Sequence, residues 1–126
     1  MVEKLEEKIS SYKKSSSQED YNEIINALGD LYKDKKTLFL PCKRSAVGEG
    51  SDMMTVRASD SKIYIVVLTN NNLPDESIDY ALMTVKEIFD IVMEEEICGG
   101  IVLNPDSSDR QIFIRKEYID KLIHVF

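Results

Sequence analysis

The run Lys62-Ile63-Tyr64-Ile65-Val66-Val67-Leu68-Thr69 decides the fold. Side chains along a strand alternate between two faces, and here both faces are apolar: Ile63, Ile65 and Val67 on one, Tyr64, Val66 and Leu68 on the other. Such a strand is central and covered on both sides, because a half-solvated strand would alternate with polar residues. Upstream, Met53-Met54-Thr55-Val56-Arg57-Ala58 and the polar turn Ser59-Asp60-Ser61 complete a hairpin with it. Further back, Thr37-Leu38-Phe39-Leu40-Pro41-Cys42 is a short apolar strand whose proline predicts a place at the strand's end or on a sheet edge. Gly48-Glu49-Gly50-Ser51-Asp52, between the two, has loop composition.

Downstream, residues 70–75 are irregular and Tyr80-Ala81-Leu82-Met83 suits a brief strand. Thr84 and Glu87 form a capping box, and Val85, Ile88, Phe89, Val92 and Met93 follow at helical spacing. Cys98-Gly99-Gly100 is expected to stop that helix with a left-handed glycine cap. Ile101-Val102-Leu103, a polar turn over 104–109 and Gln111-Ile112-Phe113-Ile114-Arg115 read as a second hairpin. Tyr118, Ile119, Leu122 and Ile123 then give a short terminal helix. At the other end, Val2, Leu5, Ile9 and Tyr12 form one helical stripe, and Tyr21, Ile24, Ile25, Leu28, Leu31 and Tyr32 form a second. Between them, Ser16 with Glu19 offers a capping box and Ser17 with Asp20 nearly another.

The expected architecture is α+β, a single domain with a mixed, mostly antiparallel sheet of roughly five to six strands flanked by helices. Residues 1–36 form a helical extension packed on the domain of residues 37–126. No period of about 20–50 residues recurs, which excludes a repeat architecture.

The strand Leu38-Phe39-Leu40-Pro41, the strand Ile65-Val66-Val67-Leu68-Thr69 and above all Gly100-Ile101-Val102-Leu103-Asn104-Pro105 carry a resemblance. Over residues 37–123 the chain resembles the N-terminal domain of SseB, the bacterial enhanced-serine-sensitivity family. The resemblance implies a mixed α+β domain of a bacterial cytoplasmic protein, with no established enzymatic activity and no catalytic residues to carry over. Members often continue into a second domain that these 126 residues do not contain, and the first 36 residues stand as an addition.

Charge and residue types narrow the function. Sixteen Lys and Arg against twenty-three Asp and Glu give a net charge of −7, a field that repels phosphate backbones and anionic lipid, so neither nucleic acid nor a membrane is an expected partner. No apolar run reaches a membrane-spanning length, and the opening MVEKLEEKIS has no signal-peptide core, which points to the cytoplasm. The one imidazole, His124, lies near the end on a short helix, and Cys42 and Cys98 lack metal or redox spacing and read as buried free thiols. Nucleophilic and zinc chemistry therefore lack their groups, and the expectation is no enzyme and no cofactor. Asp106 and Asp109 read as turn formers, and the 48–51 glycines lack the lysine of a phosphate loop.

Two charged patches remain. Glu94-Glu95-Glu96 sit where a helix C-terminus disfavours anions, so either basic groups of the fold lie nearby or the triplet docks a basic partner. Lys33, Lys35, Lys36, Lys43 and Arg44 bracket the first strand and are candidates for that internal complement or for an acidic ligand. The expected function is a protein-interaction module binding another protein. The alternatives are a small-molecule-binding or carboxylate-based hydrolytic enzyme and a structural domain that self-associates through its opening helix.

Overall fold

The computed structural model describes residues 2–44, 51–70, 78–105 and 112–125. The glycines at 48–50, the segment 71–75 and the turn 106–109 lie outside them. Four helices, α1 (Val2–Ser15), α2 (Gln18–Lys33), α3 (Val85–Glu94) and α4 (Lys116–Val125), accompany seven strands among the described residues. The strands are β1 (Thr37–Arg44), β2 (Ser51–Met53), β3 (Thr55–Arg57), β4 (Ile63–Val67), β5 (Ile78–Thr84), β6 (Cys98–Leu103) and β7 (Ile112–Arg115). The fold is α+β.

The strands form two ladders, β2-β1-β5 and β3-β4-β6-β7, antiparallel throughout except for β4 beside β6. That parallel pair requires a crossover, and β5 and α3 carry the chain across. Pro41 explains why there are two ladders. Phe39 and Leu68 exchange both backbone hydrogen bonds, at 2.9 and 2.7 Å, so a continued β1–β4 ladder would set Pro41 opposite Val66. Proline has no N–H to give. Met54 enters the gap instead, donating its N–H to the Pro41 carbonyl and accepting the Val66 N–H, both at 3.0 Å. The proline thus lies inside β1, at a fork, and not at its end.

One face of the strand system carries all four helices. Leu5 and Ile9 of α1 and Ile24, Leu28 and Leu31 of α2 share a single buried cluster with Leu40, Val67, Phe89, Ile101, Ile114 and Ile119. The opposite face holds Tyr64, Val66, Leu68 and Val102, all buried, with Phe39, Met54, Tyr80 and Phe113 around them. β4 is buried on both faces from Tyr64 onward, as its composition requires.

Two helix boundaries differ from expectation. Ser17, not Ser16, caps α2, accepting the Asp20 N–H at 3.1 Å, while Ser16 takes a left-handed φ of 55° and closes α1 through its N–H to the Tyr12 carbonyl. Gly99 and Gly100 are buried β6 residues and not a helix cap; α3 ends earlier, at an extended Glu95. The box at Thr84 forms, with the Glu87 N–H donated to the Thr84 hydroxyl at 3.1 Å.

At the C-terminal ends of β4 and β6, Asn104 takes a left-handed φ of 41° and its side chain spans the strands, accepting the Thr69 N–H and donating to the Thr69 hydroxyl, both at 2.9 Å. Thr69 in turn donates to Glu6 of α1 at 3.0 Å. The asparagine of the Gly100–Pro105 motif is therefore a tie between sheet and opening helix.

Candidate functional site

The expected patches do not converge. The Lys36 carbonyl accepts the Val85 N–H, which places Lys35 and Lys36 at the start of α3, whereas Glu94, Glu95 and Glu96 are exposed at its far end, about 15 Å away for a helix of this length. Lys43 and Arg44 stand at the other end of β1, opposite Asp52 and Ser51, about 20 Å along the strand from Lys36. The basic cluster is thus two separated groups. The cation that answers the α3 C-terminus is Lys116, whose ammonium donates to the Glu95 carbonyl at 3.0 Å, alongside the Cys98 N–H at 3.1 Å. His124 is exposed and contacts Asp120 of its own helix, and both thiols are buried with their Sγ atoms on backbone carbonyls. Among the described residues no group of His, Cys, Asp and Glu could hold a metal ion.

A different surface gathers residues from distant parts of the chain. The last turn of α1, the cap of α2, the outer edge of β7 and the first turn of α4 enclose an open hollow of about 380 Å³. Tyr12, Tyr21 and Tyr118 meet there, with ring centroids 5.6 Å apart for the first pair and 5.5 Å for the second, both inclined edge toward face. Each comes from the margin of its helix's apolar stripe, so the ring packs on the core while its rim reaches solvent. Ser16, Ser17, Gln18, Arg115 and Glu117 supply the polar wall.

A second recess of about 220 Å³ shares Arg115 and Glu117 with the first. Its floor depends on Gly99, since a Cβ there would stand 2.8 Å from the Tyr64 ring. The Tyr64 hydroxyl donates to Asp60 at 2.9 Å and the Lys62 N–H donates to the same carboxylate at 3.0 Å. Those hydrogen bonds, the backbone one foremost, hold the Asp60 carboxyl below its ordinary range. Burial, with the bond to Asp60, raises Tyr64. Arg115 and Lys62 have no carboxylate of a described residue within ion-pair distance, although the chain as a whole is strongly acidic.

Tyr21 fixes the floor. Its hydroxyl donates to the Phe113 carbonyl at 2.6 Å, closing the outer edge of β7 at that residue. Burial, followed by the neighbouring Tyr118 and Tyr12, pushes this phenol far above the ordinary tyrosine range. At neutral pH Tyr21 is therefore a neutral phenol committed to that carbonyl, and not a phenolate base. A raised folded-state value also sets a sign: stability is full below about pH 10, where an unfolded tyrosine ionises, and falls as pH rises further. Thermal unfolding followed from pH 8 to 11 is expected to show that loss, and Tyr21→Phe to flatten it at the cost of about 1 kcal/mol from the missing hydrogen bond.

Sequence reading placed Tyr12, Tyr21 and Tyr118 on separate core faces and did not single out Arg115. Comparison with protein-family models, with curated proteins and with solved structures returns no match for this chain.

Proposed function

We propose that the chain is a non-catalytic protein-interaction module of the SseB N-terminal-like type, acting in the cytoplasm, and that its tyrosine groove takes an extended peptide segment of another protein. The observation that carries this reading is the meeting of three tyrosines from three helices in one open hollow beside Arg115. Tyr and Arg are the residues that dominate binding energy at protein interfaces, while Ser and Gln supply adaptable hydrogen bonds. An apolar or proline side chain suits the ring faces, and a carboxylate suits Arg115 and Lys62, which act on Asp60 only through space and have no carboxylate of a described residue within ion-pair distance. The raised tyrosine phenols and the absence of a nearby imidazole or thiolate support recognition in preference to turnover. No helix among the described residues is long and apolar enough to cross a membrane.

Selection from a random peptide library on the purified chain tests the reading. Enriched peptides are expected to carry an acidic residue next to an apolar one. Arg115→Ala is expected to weaken them about tenfold, or about 1.4 kcal/mol, with Lys36→Ala neutral. Failure to enrich any peptide tighter than about 1 mM, or binders indifferent to Arg115 and Tyr118, would remove the proposal.

A further inference from the structure

We infer that the outer edge of β5 is the contact surface of a two-fold homodimer, with Leu82 of each copy at the axis. β5 pairs with β1 over seven positions and ends its ladder, at the opposite side of the strand system from the tyrosine groove. Because Phe39 points its N–H and C=O at Leu68, the ladder bonds between β1 and β5 fall at Leu38, Leu40 and Cys42 with Met83, Ala81 and Asp79. The N–H and C=O of Leu82 therefore point outward, and no described residue bonds them. Its side chain is 62% exposed, so this point of the edge is open.

Open strand edges are ordinarily blunted by lysine, proline or a bulge. Tyr80-Ala81-Leu82-Met83-Thr84 contains no lysine, no proline and no charge, and its ladder register is unbroken. At the other end of the sheet, β7 has its edge blocked by Tyr21. A second copy of the same strand fits the β5 edge for three reasons. Antiparallel pairing about Leu82 exchanges two backbone hydrogen bonds between the two leucines and joins their exposed side chains. It sets the small Ala81 opposite the long Met83 on one face, twice by symmetry. It also keeps the two positions of Asp79, the strand's one acid, six residues apart, about 20 Å, beyond the roughly 8 Å reach of charge at physiological salt. A contact of about five residues is small, so the dimer is weak and concentration-dependent. With each copy at −7, it tightens as salt rises.

Sedimentation equilibrium of the full chain from about 5 µM to 1 mM is expected to show a monomer–dimer equilibrium, in the range of weak interfaces. Leu82→Lys should raise the dissociation constant at least about tenfold while the thermal unfolding midpoint stays unchanged, since the side chain is exposed. Leu82→Cys under mild oxidation should give a cross-linked dimer, because directly opposed, hydrogen-bonded residues lie about 5.5 Å apart at Cα, within disulfide reach. Ile97→Cys, 51% exposed elsewhere, should not. The cysteine pair decides the matter even if Leu82→Lys disturbs folding. A monomer across the whole range, a dimer of equal strength in Leu82→Lys, or equal cross-linking at both cysteines would overturn the inference. None of these outcomes bears on peptide binding at the tyrosine groove.

Discussion

Deleting residues 1–36 is expected to abolish cooperative folding of the remainder. α1 and α2 contribute six of the twenty-one described residues in the main buried cluster, Leu5, Ile9, Ile24, Ala27, Leu28 and Leu31. Full burial of a large aliphatic side chain stabilises by about 1.5–3 kcal/mol, so their loss amounts to about 10 kcal/mol, comparable with the whole net stability of a domain this size. The truncation would also remove the Glu6 acceptor of Thr69. Circular dichroism and denaturant unfolding of the 37–126 fragment should show no sigmoidal transition and a tendency to aggregate. A fragment unfolding cooperatively with near-native stability would mean that the two helices are an accessory layer.

The second large effect is expected at Gly100. Its φ of 145° is a conformation that side chains rarely adopt, and a Cβ there would lie 2.0 Å from the Ile114 carbonyl oxygen and 3.0 Å from the Arg115 Cα. Those atoms belong to the β6–β7 ladder itself, where Gly100 faces Arg115, so the clash can be relieved only by opening the pair that positions Arg115 at the groove. Gly100→Ala should cost about 3 kcal/mol or more, lowering a urea midpoint by about 1–3 M. Gly99→Ala meets only the far end of the Tyr64 side chain and should cost clearly less. Equal effects at the two glycines, or a neutral Gly100→Ala, would contradict this account of the strand.

These glycines also mark where sequence reasoning reached its limit. Helix starts are local chemistry, and the Thr84 box could be read directly from a hydroxyl and a carboxylate three residues apart. Likewise, the two-faced apolarity of Ile63–Leu68 identified a strand buried on both sides. Gly99 and Gly100 answer to a ring at Tyr64 and a carbonyl at Ile114, distant in sequence, so a helix cap was the nearest local explanation for them. Pro41 was legible as a disruption, but the fork it creates depends on Met54 and Val66. The groove was least legible. Tyr12 and Tyr118 sit 106 positions apart and come together only after α1 folds back on α2 and β7 delivers α4. The available signal was their chemistry: tyrosines at the margin of an apolar stripe keep a polar rim in water, where leucine would not.

The most direct test of the groove as a recognition surface is backbone amide NMR of the intact chain titrated with a library-selected acidic peptide. Chemical-shift changes are expected to concentrate at residues 12–21 and 112–118 and to vanish with Arg115→Glu, leaving the α3 C-terminus around Glu94–Glu96 unmoved. Shifts centred on Glu94–Glu96, or on Lys35 and Lys36, with the tyrosine cluster unchanged would contradict it.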